Sequence, residues 1–141
     1  MIDRPTRGFW IVAWLILAWN LIGDAAYLMQ VTADLDALAA TDPVTADAFR
    51  AMPGWAWSAY AIAVWGGTAA AIALLMRRKA AVWLFALSLA GVVVQFGWTF
   101  LGYGLIAKKD ASTVIFPLVI AAITLASLLY ARRKVADGTL R

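Results

Sequence analysis

The chain has 141 residues, 65% of them hydrophobic and 14% charged, where a soluble domain carries about 45–50% and about 25%. A soluble fold of this size buries only about two-thirds of its unfolded surface, so the excess would stand in water as large apolar patches, and lipid is the solvent the composition requires. With no Cys, His or Glu in the sequence, thiol chemistry, histidine metal centres and most acid–base catalysis are excluded, so no enzyme activity, cofactor or metal is expected.

A hydrocarbon layer of about 30 Å takes roughly 20 residues of helix. Segments 9–30, 55–76, 80–103 and 111–130 reach that length, which predicts an all-α, single-domain integral membrane four-helix bundle with an outer loop over 31–54. Arg4 and Arg7 ahead of the first segment resemble the start of a secretory signal, but the apolar run is too long, and a retained helix is expected. That helix carries Asn20, Asp24 and Tyr27 at spacings of four and three residues, which places them on one face, with Asn20 near the bilayer midplane. A charged Asp inside a span costs about 2.5–3.5 kcal/mol, which makes Asp24 a candidate functional residue. No span contains a basic residue, so its expected partners are Asn20, Gln95, Thr99, Thr124, a backbone carbonyl or a cation. The alternative reading makes Asp24 neutral, or wetted near the outer end, and a hydrogen-bonding tie between helices.

In the loop, Thr41-Asp42-Pro43 predicts a helix capped by Asp42 with Pro43 in its first position. Val44, Ala48, Phe49 and Met52 fall on one side of it, Asp47 and Arg50 elsewhere, and Pro53-Gly54 ends it. Such an amphipathic helix lies on the outer surface and closes the bundle, or serves as a lid or docking surface. The second span carries Ala59, Ala63, Gly67 and Ala71, a small-residue packing face that admits another backbone. Arg77-Arg78-Lys79 is too short to allow anything but antiparallel neighbours. On the third span Ser88, Gly91, Gln95, Thr99 and Gly102 share a face; on the fourth Thr113, Pro117, Thr124 and Ser127 do so, and Pro117 is expected to bend the helix. Trp14, Trp19 and Trp65 lie deep, where an indole N–H seeks a partner, and are expected to face protein.

Nine of the twelve basic residues, Arg4, Arg7, Arg77, Arg78, Lys79, Arg132, Arg133, Lys134 and Arg141, fall on one side of the predicted spans. Basic residues stay cytoplasmic in short loops, so both termini are expected there, in a bacterial inner membrane. The bases form juxtamembrane clusters suited to anionic lipid, and no nucleic-acid partner is expected.

Trp19-Asn20-Leu21-Ile22-Gly23, Gly66-Gly67 with Leu74-Leu75, Arg77-Arg78-Lys79, Ser88-Leu89 and Tyr130-Ala131-Arg132-Arg133 together resemble a family of small bacterial four-helix inner-membrane proteins whose members often carry the label "sugar transporter". The resemblance covers nearly the whole chain and implies the fold more than an activity. Two functions are expected from the residues. The first is a non-enzymatic accessory subunit of a larger membrane assembly, respiratory or photosynthetic, which accounts for the deep Trp residues and the small-residue face. The alternative is a small oligomeric transporter moving a polar solute, sugar or cation past Asn20, Asp24, Tyr27, Gln95 and Thr99. Partners are accordingly the lipid bilayer with other subunits or further copies of the chain.

Overall fold

A computed structural model of the chain describes residues 5–141; Arg4 lies outside the described residues. Seven α-helices occur among them: α1 Arg7–Val31, α2 Leu35–Ala39, α3 Pro43–Ala51, α4 Gly54–Leu75, α5 Ala80–Gly97, α6 Leu105–Lys108 and α7 Ile115–Ala136. Four helical stretches, Arg7–Val31, Gly54–Leu75, Ala80–Gly102 and Ala111–Ala136, are long and apolar enough to cross a membrane. The protein is an all-α four-helix bundle of the integral membrane type.

Local chemistry accounts for the helix boundaries. Thr6 Oγ1 accepts from Phe9 N at 3.1 Å and starts α1. Asp42 accepts from Thr45 N at 3.1 Å and Pro43 stands at the first position of α3, because a ring nitrogen without a hydrogen costs nothing where no intrahelical partner exists. The loop holds a second short helix, α2, that hydrophobic periodicity did not indicate; Asp34 caps it through Asp36 N and Ala37 N. Beyond Gly97, α5 continues as a π-helical turn, Trp98–Gly102, in which Tyr103 N donates to Trp98 O at 2.7 Å. The last span runs past the expected end at 130 to Ala136, because Ala131 is buried and continues the packed face. Pro117 was expected to bend this helix. It falls instead in the first turn of α7, just after the 3-10 turn Ala111–Val114, where few of its hydrogen-bonding partners are missed.

α4 packs on α1 and, most extensively, on α5, while α5 packs on α7. The order across the bundle is therefore α1, α4, α5, α7. The two outer members meet at the end of the bundle that carries Arg7, Arg77–Lys79 and Arg132–Lys134, here the basic end, where the rings of Phe9 and Tyr130 stack with centroids 6.5 Å apart. Around them Ala13, Leu74, Phe85, Ala131 and Leu140 complete a closed apolar core. The opposite, loop end is held by aromatic contacts among Tyr27, Trp57, Tyr60 and Phe49, which tie α1, α3 and α4 together.

The small-residue face lies inside the bundle. Ala59, Ala63, Gly67 and Ala71 are all buried, and α5 crosses them so closely that Ser88 Oγ donates to Ala63 O at 2.5 Å. The polar tail is also held by the chain itself: Arg141 N donates to Arg77 O at 2.8 Å and Lys79 N to Arg141 O at 3.1 Å. Of the deep Trp residues, Trp19 is half-buried among the helices. Trp14 and Trp65, 60% and 43% exposed, point away from the bundle, against the expectation for them.

Candidate functional site

Between the basic-end core and the loop-end aromatics the four spanning helices separate around a cavity of about 300 Å³. α1 contributes Trp19, Asn20 and Gly23, α5 contributes Ser88, Gln95, Trp98 and Thr99, and α7 contributes Phe116, Ile120 and Thr124. α4 supplies Tyr60 and Ala63, and Thr45, Ala48, Phe49 and Met52 of α3 form a roof. The amphipathic loop helix therefore closes the bundle over a hollow. It is braced there by Lys109 Nζ, 3.0 Å from Asp42 Oδ2 and 2.9 Å from Thr45 Oγ1. Hydrogen bonds from the Thr45 hydroxyl and backbone N–H hold the Asp42 carboxyl below the usual carboxylate range, and Lys109 adds to the effect.

The hydrogen-bonding groups on the cavity wall are only partly used by the protein. Gln95 Nε2 donates weakly to Thr99 Oγ1 at 3.3 Å, and the Thr99 hydroxyl donates back to Gln95 O at 3.1 Å. Gln95 Oε1 has no bond to any described residue, which leaves an amide acceptor for a ligand. Asn20 Nδ2 donates to Ile16 O at 2.8 Å, and its other amide atom, Oδ1, lies over Gly67 in the place a Cβ there would occupy. The Gly67 hydrogen therefore positions Asn20. Thr124 donates to Ile120 O at 2.9 Å, within its own helix. No Asp, Lys or Arg among the described residues lines the cavity. Trp98 and Thr99 stand on the π-helical turn, a distortion that recurs at binding sites because it re-aims side chains.

The structure brings Asn20, Gln95 and Thr99 together on this wall and leaves Asp24 and Tyr27 off it. All three α1 residues share one face, as their spacing indicated, and the structure turns that face to α4, which they meet at different points. Tyr27 packs against the Tyr60 ring with centroids 5.0 Å apart. Asp24, 4% exposed, pairs through Oδ2 with Thr68 Oγ1. Thr68 is none of the partners expected from sequence, and it belongs to the half of α4 nearer the basic end. The pairing therefore draws the carboxyl toward mid-depth and away from the loop-end interface where a wetted Asp24 was expected. The polar residues missed as site members, Ser88 and Thr124, had been legible as polar face residues, and Trp19 as a deep indole expected to face protein; Thr45 carried no comparable signal.

Thr68 Oγ1 also lies 3.0 Å from Val64 O. One hydroxyl hydrogen cannot serve both acceptors, and a carbonyl cannot donate, so both contacts are satisfied when Asp24 itself carries a proton and donates to Thr68. The neutral form also avoids the cost of a buried charge. Its Oδ1 is left without a partner. Asn reproduces this pattern, with an N–H for the O–H. Asp24→Asn should therefore melt within about 0.5 kcal/mol of the parent protein, and Asp24→Ala should lose about 0.5–2 kcal/mol through the gap and the lost bond. Thermal melting in detergent measures both, and an Asn variant as damaged as the Ala variant would contradict the neutral pairing.

No family model matches this chain, and no curated protein or solved structure matches it either. The geometry of the cavity is therefore what bears on function.

Proposed function

We propose that this is a non-enzymatic, multi-pass inner-membrane protein that binds a small uncharged molecule between its helices, as the binding unit of a small transporter. One observation carries the reading. A hollow lined by all four spanning helices presents the unused Gln95 amide oxygen, further polar groups bonded only within their own helices, and no charged side chain among the described residues. Such sites are characteristically apolar with a few convergent polar groups, and an ion entering this one would leave its charge unpaired, at a cost of several kcal/mol. A cation is thus a poor cargo. A sugar, with hydroxyls on every side, would meet Asn20, Ser88, Gln95 and Thr99 on one side but only the apolar rings of Trp98, Phe116 and Phe49 on the other.

The test is melting of the purified protein with benzyl alcohol or cyclohexanol against benzoate and benzylamine. The neutral rings should raise the melting temperature in a concentration-dependent way, as binding to the folded state must. The charged ones should not, and Ala26→Trp, which fills the cavity from α1, should remove the response. Equal responses to charged and neutral rings, or an unaltered response in Ala26→Trp, would contradict the reading.

Trp14 and Trp65 favour a second reading, that of an accessory subunit, since both indoles point outward at membrane depth and neither has a hydrogen-bond partner among the described residues. The small-residue face does not support it, because it is engaged within the chain. Purification from native membranes in mild detergent decides between them: a stoichiometric foreign protein supports the subunit, and a homogeneous preparation of this chain supports the binding protein.

Orientation follows from the bases. With both termini cytoplasmic, Asp47→Cys, as the single thiol of a chain that has none of its own, should react with an impermeant maleimide from the outside of intact cells. Labelling only from the cytoplasmic side would invert the topology.

A further inference from the structure

We propose that the cavity fills sideways from the bilayer, through a slot between α1 and α7, and that its ligand is a neutral single-chain amphiphile dissolved in the membrane. The proposal rests on the reading of the cavity as a site for an uncharged molecule and adds the route and the chemical class.

Consider each wall in turn. Toward the basic end the hollow stops at the packed core of Phe9, Leu74 and Phe85. Toward the loop end it is roofed by α3, which Lys109 and the Tyr103 hydroxyl, 3.5 Å from Val44 O, tie to the far loop. α4 and α5 form the back, crossing at backbone distance. The remaining side lies between α1 and α7. These two are the ends of the row of packed helices, and their ring contact is at the basic end, away from the cavity. One side chain from each helix marks the opening: Ile22 on α1 and Phe116 on α7 both line the cavity, yet 65% of the first and 64% of the second is exposed. A residue that is at once cavity wall and outer surface is the lip of an aperture. This aperture faces hydrocarbon, since both helices are spanning helices.

Polarity is graded along the same line. The lips are apolar, whereas the buried wall opposite carries Ser88 and Gln95. A molecule that satisfies both ends has a hydroxyl, carbonyl or amide head, which can meet the free Gln95 Oε1 or N–H, and a hydrocarbon tail lying out past Ile22 and Phe116. A phospholipid does not fit this pattern, because its phosphate would enter a wall without a cation to pair with it. A water-borne solute would have to pass the braced roof.

The experiment uses the full chain in phosphatidylcholine vesicles containing dodecanol with a photoactivatable diazirine near its hydroxyl end. After irradiation, adducts localised to single residues by fragmentation should fall on or beside Gln95, Ile120 and Thr124. Ile22→Trp, a change at an exposed position that narrows the slot, should reduce those adducts several-fold while adducts on the outward face around Leu118 persist. A water-soluble, membrane-impermeant diazirine should leave those residues unlabelled. Adducts confined to outward faces, cavity adducts indifferent to Ile22→Trp, or cavity labelling by the water-soluble reagent would each overturn the lateral route. If the neutral-ring melting response and its loss in Ala26→Trp remain in those cases, the binding site stands and only the route is wrong. If that response is absent as well, the binding reading falls with it.

Discussion

Gly91→Ala should lower the melting temperature of the purified protein by the equivalent of about 1–3 kcal/mol, the cost of overfilling a tightly packed seam. The added methyl would stand 2.6 Å from Ala59 O and 2.8 Å from Ala63 N. Both are backbone atoms of α4, so no side-chain rotation relieves the clash and the two helices must part. Parting also stretches the adjacent bond from Ser88 Oγ to Ala63 O, one of the few polar ties in a bundle whose apolar surfaces gain little from leaving lipid. Gly66→Ala is the control. Its methyl would have nothing closer than 3.8 Å, so it should be neutral or, through better helix propensity, slightly stabilising. Gly67→Ala falls between the two, because the obstructing group there is the Asn20 amide, which can swing away. Its cost should show in the response to neutral rings more than in melting. A Gly91→Ala protein that melts with the parent would mean that α4 and α5 are not in backbone contact.

The four spans, the Asp42 cap and the small-residue face were legible because each follows from a local rule: hydrocarbon thickness, capping geometry and the space that Ala and Gly leave. What escaped was set by how helices register against each other. The spacing of Asn20, Asp24 and Tyr27 placed all three on one face, but nothing in the sequence says that this face meets α4 or that Thr68 stands opposite Asp24, since both depend on the crossing of two helices joined by a long loop. The same holds for the Trp residues. Depth follows from position in the segment, whereas rotation about the helix axis decides whether an indole lines the cavity, as Trp19 does, or faces outward, as Trp14 and Trp65 do, and helices apolar on every side carry little information about rotation. Pro117 was misread for a simpler reason: the α-helix starts two residues before it, after a 3-10 turn with no distinct signature.

The tail supplies the other large expected effect. Leu140 is almost wholly buried against Phe9, Leu74, Phe85 and Ala131, so Leu140→Ala should cost about 2–5 kcal/mol, the range for emptying a packed Leu site. The site exists because the chain turns back at Gly138, with φ of 86°, and is pinned at each step. Leu140 N donates to Lys134 O at 3.0 Å, and Arg77, itself left-handed with φ of 57°, donates from Nε to Thr139 O at 2.9 Å. Asp137 starts the hook by accepting from Thr139 N at 2.9 Å and Thr139 Oγ1 at 2.6 Å, and these bonds hold its carboxyl below the usual carboxylate range. A carboxylate whose folded value is depressed stabilises the fold above its unfolded value, and that contribution is lost as pH falls through the lowered one. Acidification through the lower carboxylate range should therefore loosen the hook slightly, with a small effect because Asp137 is largely in water. Limited trypsin digestion at the basic end reads the tail directly: Leu140→Ala should accelerate cleavage after Arg133 and Lys134 and lower the melting temperature together. Asp137→Asn should do so weakly and remove the acid dependence. The cavity lies in the other half of the bundle, so at temperatures below its melt Leu140→Ala should still respond to neutral rings. A variant that keeps parental melting and cleavage would show that Leu140 is not seated in the core, and loss of the ring response in the folded variant would show that the two halves are not independent.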